Sequence, residues 1–255
     1  MTCVAERVPD SLSAAVETRG FALCRSPLNA DLLQSLEAAL GCIDTDERVR
    51  SRGAVFAIRD LLIAAPAIRA MANADPLLAV ARAAIGRKAR PVRGLLFDKH
   101  PAANWLVPWH QDLTICVKER LEVKGFGPWS GKADLVHVQP PAEILDQMVA
   151  LRIHLDDAGE TNGALRLLPG TPKLGRLTPE QVEKCRETNE EMTCAAARGD
   201  VLLMKPLLLH ASSAALQPGH RRVIHIEYAS CSLPGGLCWQ EESARHGEVA
   251  GNDPV

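Results

Sequence analysis

The chain has 255 residues, of which 47% are hydrophobic, enough to close one sizeable core. Its 29 lysines and arginines nearly balance its 31 acidic residues, so nucleic acid and anionic membrane surfaces are not expected partners, whereas a small molecule is. Eight cysteines scattered singly from Cys3 to Cys238, with no Cys-x-x-Cys, exclude a disulfide scaffold or a zinc knuckle and read as reduced thiols.

The opening residues, Met1 to Arg7, lack the basic flank and apolar run of a secretory signal. The longest apolar run, Val201 to Leu209, is interrupted by Lys205-Pro206. A cytoplasmic protein without a membrane span is therefore expected. One domain over 1–255 is expected, with a mostly helical part over 1–90, a β core over 91–230 and a C-terminal tail over 231–255. Oligomeric state leaves no mark in the pattern.

In the helical part, Asn29 caps a predicted helix through Leu40 that stops at Gly41, with Leu32, Leu33, Leu36 and Leu40 at helical spacing. Asp75-Pro76 opens a second, carrying Leu77, Leu78, Val80, Ala84 and Ile85 to Gly86. From Pro91 the pattern changes to short extended runs divided by Gly, Pro and Asn: Val92–Lys99, Leu106–Val117, Met148–Leu155, Ala164–Leu168, Met192–Ala197, Val201–Leu209 and Val223–Tyr228. Seven such pieces argue for a mainly β protein with helical additions, built on a Greek-key double sheet: a double-stranded β-helix, or jelly roll, of cupin-like form. Thr178-Pro179-Glu180-Gln181 marks one inserted helix. The stretch 118–141 is too long and too apolar for an idle linker. It reads as a lid, with Trp129, His137 and Gln139 as candidate substrate contacts.

The chemistry concentrates in Pro108-Trp109-His110-Gln111-Asp112. Residues two apart on a strand share a face, so His110 and Asp112 present an imidazole and a carboxylate to one cation. His210, at the end of the run from Val201, is the best candidate for a third ligand. Two histidines and a carboxylate occupying one face of an octahedron form the arrangement of non-haem Fe(II) oxygenases. Eleven residues on, beyond the turn Gln217-Pro218-Gly219-His220, Arg221 starts a strand that a hairpin lays beside His210. Arginine suits bidentate capture of a carboxylate. Alternation along this strand sets Arg222 on the same face as Ile224, Ile226 and Tyr228, and by itself leans towards Arg222 as the inward residue.

In this combination the chain resembles the phytanoyl-CoA dioxygenase family of Fe(II)/2-oxoglutarate-dependent oxygenases. The likeness rests on His110-Gln111-Asp112, Thr161-Asn162-Gly163-Ala164-Leu165, Leu168-Pro169-Gly170-Thr171, Gly199-Asp200, and His210 with Ser212 and Arg221. It implies iron held by His110, Asp112 and His210, and 2-oxoglutarate clamped by Arg221 with help from Ser212 and Arg152. It further implies dioxygen as oxidant, with hydroxylation of a substrate C–H bond and release of succinate and CO2. The spacing of eleven favours Arg221 over Arg222. A carboxylate at Asp112 disfavours halogenation, for which related enzymes leave a small residue. Lys118, Arg120, Lys124 and Lys132 are mixed with Glu119, Glu122 and Asp134, which disfavours an acyl-CoA. Two rivals remain open on the residues alone: a zinc hydrolase and a metal-binding jelly-roll module without oxygenase activity.

Overall fold

The computed structural model describes residues 10–43, 49–51, 55–132, 135–217 and 219–241. In chain order its elements are α1 (Asp10–Arg19), β1 (Phe21–Cys24), α2 (Ala30–Gly41), β2 (Val49–Ser51), β3 (Val55–Ile58), α3 (Leu61–Ala64), α4 (Pro66–Ala72) and α5 (Leu77–Ile85). Then follow β4 (Arg90–Lys99), β5 (Val107–His110), β6 (Ile115–Val117), β7 (Trp129–Lys132), β8 (Leu135–Val138), α6 (Ala142–Leu145) and β9 (Met148–His154). The rest are β10 (Leu165–Leu168), α7 (Pro179–Thr188), β11 (Met192–Cys194), β12 (Val201–Met204), β13 (Leu209–Ser212) and β14 (Arg221–Ala229).

Two antiparallel sheets make the jelly-roll core. The larger has the order β1-β12-β9-β14-β4-β3-β2 and the smaller β11-β10-β13-β5. Strand β9 shows how the sequence builds this. All seven of its residues are buried, yet they alternate in kind. Val149, Leu151 and Ile153 join Leu36, Leu61, Ile68, Leu77 and Val80 of the helices in one apolar cluster, while Arg152 turns to the opposite face. The N-terminal helices thus cover the outer face of the large sheet, and the small sheet faces its inner side. The helices come close: a Cβ on Gly94 of β4 would lie 2.7 Å from Leu62 Cγ.

Asn29 caps α2 by accepting from the Leu32 amide, and Thr178 and Gln181 form a reciprocal capping box on α7. The cap expected from Asp75 is not made: α5 begins at Leu77 with Pro76 at the cap position and no side-chain bond. Two expected strands are each divided. The run Leu106–Val117 breaks after His110, so that β5 and β6 belong to different sheets. The run Val201–Leu209 breaks at Lys205-Pro206, where the chain passes from β12 in the large sheet to β13 in the small one.

The stretch 118–141 is not the irregular lid anticipated. It folds back as a β7–β8 hairpin that pairs with β6 in a three-stranded sheet. Its apolar side chains find a partner in the segment after β14: Phe126 and Val138 pack with Val117, Leu237 and Trp239, and Lys118 N–H donates to Cys238 O at 3.0 Å. Among the described residues, no helix is long and apolar enough to cross a membrane.

Candidate metal centre

His110 ends β5 and His210 sits in β13, and the two are direct cross-strand partners. Their rings lie 4.2 Å apart between centroids. Asp112 lies just past the strand end, not on it. Its placement depends on Gln111, which faces the other way and is buried. The Gln111 amide donates to Leu207 O (2.7 Å) and Gly175 O (2.9 Å) and accepts from Leu177 N (2.9 Å), and Asp112 N–H donates to Pro206 O at 2.9 Å. These bonds turn the Asp112 carboxylate back towards the histidines, with Oδ1 3.6 Å from His110 Nε2 and Oδ2 3.8 Å from His210 Nε2. One ligand atom from each of the three residues falls within 4.8 Å of the others.

The other ring nitrogens define the tautomers. His110 Nδ1 is 2.8 Å from Pro108 O and His210 Nδ1 2.9 Å from Leu208 O. A carbonyl only accepts, so each Nδ1 carries the proton and each Nε2 offers a lone pair to the centre, as a metal ligand must. Burial pushes the His210 imidazole down to about 4, against the opposing pull of Asp112, so it is neutral at ordinary pH. Burial alone would raise Asp112; the electrostatic pull of the residues around it, His210 first, then His225, His110 and the Arg152 guanidinium, outweighs burial and holds the carboxyl below its ordinary range.

The triad opens on a cavity of about 280 Å³ between the sheets. The large sheet supplies its wall as a ladder of paired residues: Lys99 opposite Arg221, Phe97 opposite Val223, Leu95 and Arg152 flanking His225, and Arg93 opposite Glu227. At one end Lys99, Arg152 and Arg221 crowd together. Lys99 Nζ donates to Ser212 Oγ at 3.0 Å and Ser213 O at 2.7 Å, which leaves its third proton free. Arg221 donates to Gly163 O. Burial, with Arg221 and Arg152 nearby, pushes Lys99 down to about 7. Burial likewise brings Arg152 and Arg221 to about 10, still charged at neutral pH. The Nε atoms of Arg93, Arg152 and Arg221 are buried without a partner. A buried crowd of like charges with spare donors fits an anion, and the lone pairs of the triad fit a cation.

The motifs around these residues hold the strands in place. Thr171 Oγ1 donates to Leu168 O (2.8 Å) and accepts from Leu209 N (2.9 Å), fixing the start of β13 one residue before His210. Asp200 accepts from Ser26 N, Ala197 N and Arg25, anchoring the turn into β12. Gly163 has φ +68°, and a Cβ there would meet Ser213 O at 2.8 Å.

Of the residues singled out in the sequence, His110, Asp112, His210, Ser212, Arg152 and Arg221 all line the cavity. Arg222 does not: it lies on the outer face, bonded to Asp156 at 2.7 and 2.9 Å and to Glu37 at 2.9 Å. The periodicity argument for Arg222 fails because the apolar face of β14 packs on the helices, and the cavity face is the polar one. Trp129, His137 and Gln139 stand outside the cavity lining. Trp129 packs into the cluster around Trp239, and Gln139 uses its backbone to close the hairpin on Gly127 and Pro128. His137 reaches the site only through Arg93, whose Nη2 is 3.4 Å from its Nε2. Lys99, Arg93, Glu227 and His225 were not singled out; their spacing by twos on β4 and β14 was the available signal.

A jelly roll with two histidines, one carboxylate and a cationic cavity defines the class of non-haem iron, 2-oxoglutarate-dependent dioxygenases. The model of the phytanoyl-CoA dioxygenase family matches residues 16–223, and the chain belongs to that family. It is an Fe(II)/2-oxoglutarate-dependent dioxygenase, using iron, 2-oxoglutarate and dioxygen. Similar solved structures include AviO1 from Streptomyces viridochromogenes Tue57, 24% identical over 92% of this chain and 99% of that one, with TM-score 0.63. EctD from S. alaskensis, solved with 2-oxoglutarate and 5-hydroxyectoine, is 16% identical over 90% and 78%, with TM-score 0.66. HygX from Streptomyces hygroscopicus, with nickel, 2-oxoglutarate and hygromycin B, is 19% identical over 87% of each chain, with TM-score 0.61. At these identities the likeness is one of fold. Among curated protein sequences none matches.

Proposed function

We propose that this enzyme hydroxylates a C–H bond of a small-molecule substrate, with His110, Asp112 and His210 holding the iron and Arg221, Lys99 and Ser212 holding the distal carboxylate of 2-oxoglutarate. Iron with 2-oxoglutarate and dioxygen supplies an oxidant able to take hydrogen from carbon, with succinate and CO2 released. The observation that carries the reading is the crowd of Lys99, Arg152 and Arg221 on the same cavity as the triad: three buried cations, with Arg221 and Arg152 adding to burial in lowering Lys99 and Arg152 adding to it in lowering Arg221. A zinc hydrolase gives those cations nothing to do.

The chain's own tasks are positional. Pro108 O and Leu208 O orient the two imidazoles, and Gln111 sets the angle of Asp112. Ser212 Oγ accepts from Lys99 and so turns its own proton outward, ready for a carboxylate oxygen. Arg152 stands between clamp and metal, its Nη1 donating to His225 Nδ1 at 3.1 Å, where its charge supports the ionised Asp112. The facing sheets bury Arg152, His210, Ser212 and Arg221, which strengthens the interactions these residues make. The test is Fe(II)-dependent conversion of 2-oxoglutarate to succinate by the purified protein. It should disappear in Asp112→Ala and fall in Arg221→Ala. Full succinate formation by Asp112→Ala would remove that carboxylate from the iron, and hydrolytic activity with zinc but none with iron would overturn the reading.

A further inference from the structure

Seen along the large sheet, the cavity has two ends of different chemistry. Arg221 and Glu227 are six residues apart on β14, about 20 Å of strand. The triad lies between them: Ser212, two residues from His210, bonds Lys99 at the first end, whereas Asp112 and Thr114 border the same recess as Glu227, Met148 and Ala150 at the second. With the distal carboxylate of 2-oxoglutarate drawn to the first end, as proposed above, the second is left for substrate.

That second end is built around a fixed acid. Glu227 is 6% exposed, and its Oε1 accepts from Arg93 Nη1 at 3.2 Å and lies 3.6 Å from His225 Nε2. The tautomers follow link by link. His137 Nδ1 donates to Leu135 O at 3.1 Å, so its Nε2 accepts from Arg93 Nη2. Arg152 donates to His225 Nδ1, so the His225 proton sits on Nε2 and faces Glu227. Arg93 and His225 both face one oxygen of Glu227, and the 3.2 Å ion pair with Arg93 fixes the carboxylate in place. Among the described residues, Oε2 takes no hydrogen bond and neither does the Thr114 hydroxyl; both residues line the cavity. Arg93 is neutralised by Glu227, so this end, unlike the other, has no net positive charge with which to recruit an anion. Behind it Leu145, Met148, Ala150 and Pro206 close a recess of only about 10 Å³, so the substrate end is limited to the main cavity. Small-molecule sites commonly enclose about 300–1,000 Å³, and here about 280 Å³ is shared with the co-substrate.

We infer that Glu227 and Thr114 are the specificity-determining residues for substrate, and that the portion entering the cavity is compact, carries no negative charge and presents an ammonium or hydroxyl donor to Glu227. The inference rests on the iron and 2-oxoglutarate reading. A carboxylate is refused because Glu227 repels it and both terminal nitrogens of Arg93 are taken, Nη1 by Glu227 and Nη2 by His137.

Saturation-transfer NMR on the zinc-substituted, 2-oxoglutarate-saturated protein tests it without turnover. The probes are serinol, prolinol and 2-aminoethanol, set against glycolate, lactate and glycerate. The amino alcohols should bind in the millimolar range and the carboxylates should not. Glu227→Gln should weaken amino-alcohol binding tenfold or more, the loss of one charge-assisted contact. Thr114→Val, which leaves the buried Arg93–Glu227 pair intact, should weaken it several-fold. Carboxylates binding better than amino alcohols, amino alcohols not binding at all, or binding indifferent to both substitutions each overturns the inference. A wild-type protein that fails to take 2-oxoglutarate contradicts the earlier reading instead, and titrating 2-oxoglutarate first separates the two failures.

Discussion

The two faces of the large sheet are buried to a similar degree and do opposite things. On the outer face Leu151, Ile153, Ile224, Ile226 and Tyr228 meet the N-terminal helices, and Tyr228 Oη donates to Ala72 O at 2.9 Å in an otherwise apolar layer. On the inner face, one residue along each strand, stand Arg152, His154, Arg221, His225 and Glu227, all under 7% exposed. One face is a core and the other a reaction chamber whose polar groups are held from both sides by packed sheets. The lesson is that helices covering the back of a sheet free its front for charge: the apolar burial that stabilises the fold is made behind the strands, so the cavity can concentrate like charges that would otherwise be costly.

The comparison breaks most visibly at the metal. Asp112→Ala should abolish iron binding, measured as metal per chain after anaerobic loading, while the melting temperature stays close to wild type because no outer-face contact is touched. Next, adjacent residues of β9 separate the two faces. Leu151, fully buried among the helices, should cost about 2–5 kcal/mol of stability as Leu151→Ala, read by denaturant unfolding, with the affinity of the folded protein for 2-oxoglutarate unchanged.

A smaller effect is expected from pH. Lys99 has its folded pKa lowered to about 7 by burial and by the neighbouring Arg221 and Arg152, with Ser212 and Ser213 as its hydrogen-bond partners. It is therefore charged below that point and loses its proton as pH rises through it. Binding of 2-oxoglutarate should weaken from about pH 6 to about pH 9, by at most about tenfold per unit, and Lys99→Met should bind more weakly at low pH and lose this dependence. A wild-type profile as flat as the variant's would detach Lys99 from the clamp. Smallest is Arg222→Ala, which removes a partly exposed ion pair with Asp156 and Glu37. It should cost on the order of 1 kcal/mol or less and leave co-substrate binding alone.

Much of the site was legible because its signals are short and chemical. His110-Gln111-Asp112 and His210 name their metal chemistry by residue type alone. The hairpin expected between His210 and Arg221 does not form: β13 pairs with β10 and β5 in the small sheet and β14 with β4 and β9 in the large one, and Arg221 comes near the triad because the two sheets face each other across the cavity. The stated reason for pairing His110 with Asp112 was less sound, since Asp112 is off the strand and is aimed by the bonds of Gln111 and Pro206, contacts made with residues distant in sequence. Arg93, Lys99, His225 and Glu227 carry no motif of their own, and a polar alternation on a strand ordinarily means solvent. Period two says that two faces differ and is silent on which one is the inside. What could have decided it was the helical segment over 1–90, whose apolar surface needs a partner and finds one in the Val-Leu-Ile face. The hairpin within 118–141 was hidden for another reason. Trp129-Ser130-Gly131-Lys132 has little strand character of its own and pairs only because β8, itself paired with β6, offers an edge.

The most direct test of the assignment of faces is a calorimetric titration of 2-oxoglutarate into anaerobic, Fe(II)-loaded protein, comparing Arg221→Ala with Arg222→Ala. These neighbours on one strand are both arginine, one in the chamber and one behind it. The account expects one 2-oxoglutarate per chain, bound tenfold or more weakly by Arg221→Ala, about 1.4–3 kcal/mol for a charged clamp, and with wild-type affinity by Arg222→Ala. Loss of binding in Arg222→Ala with Arg221→Ala intact would contradict it.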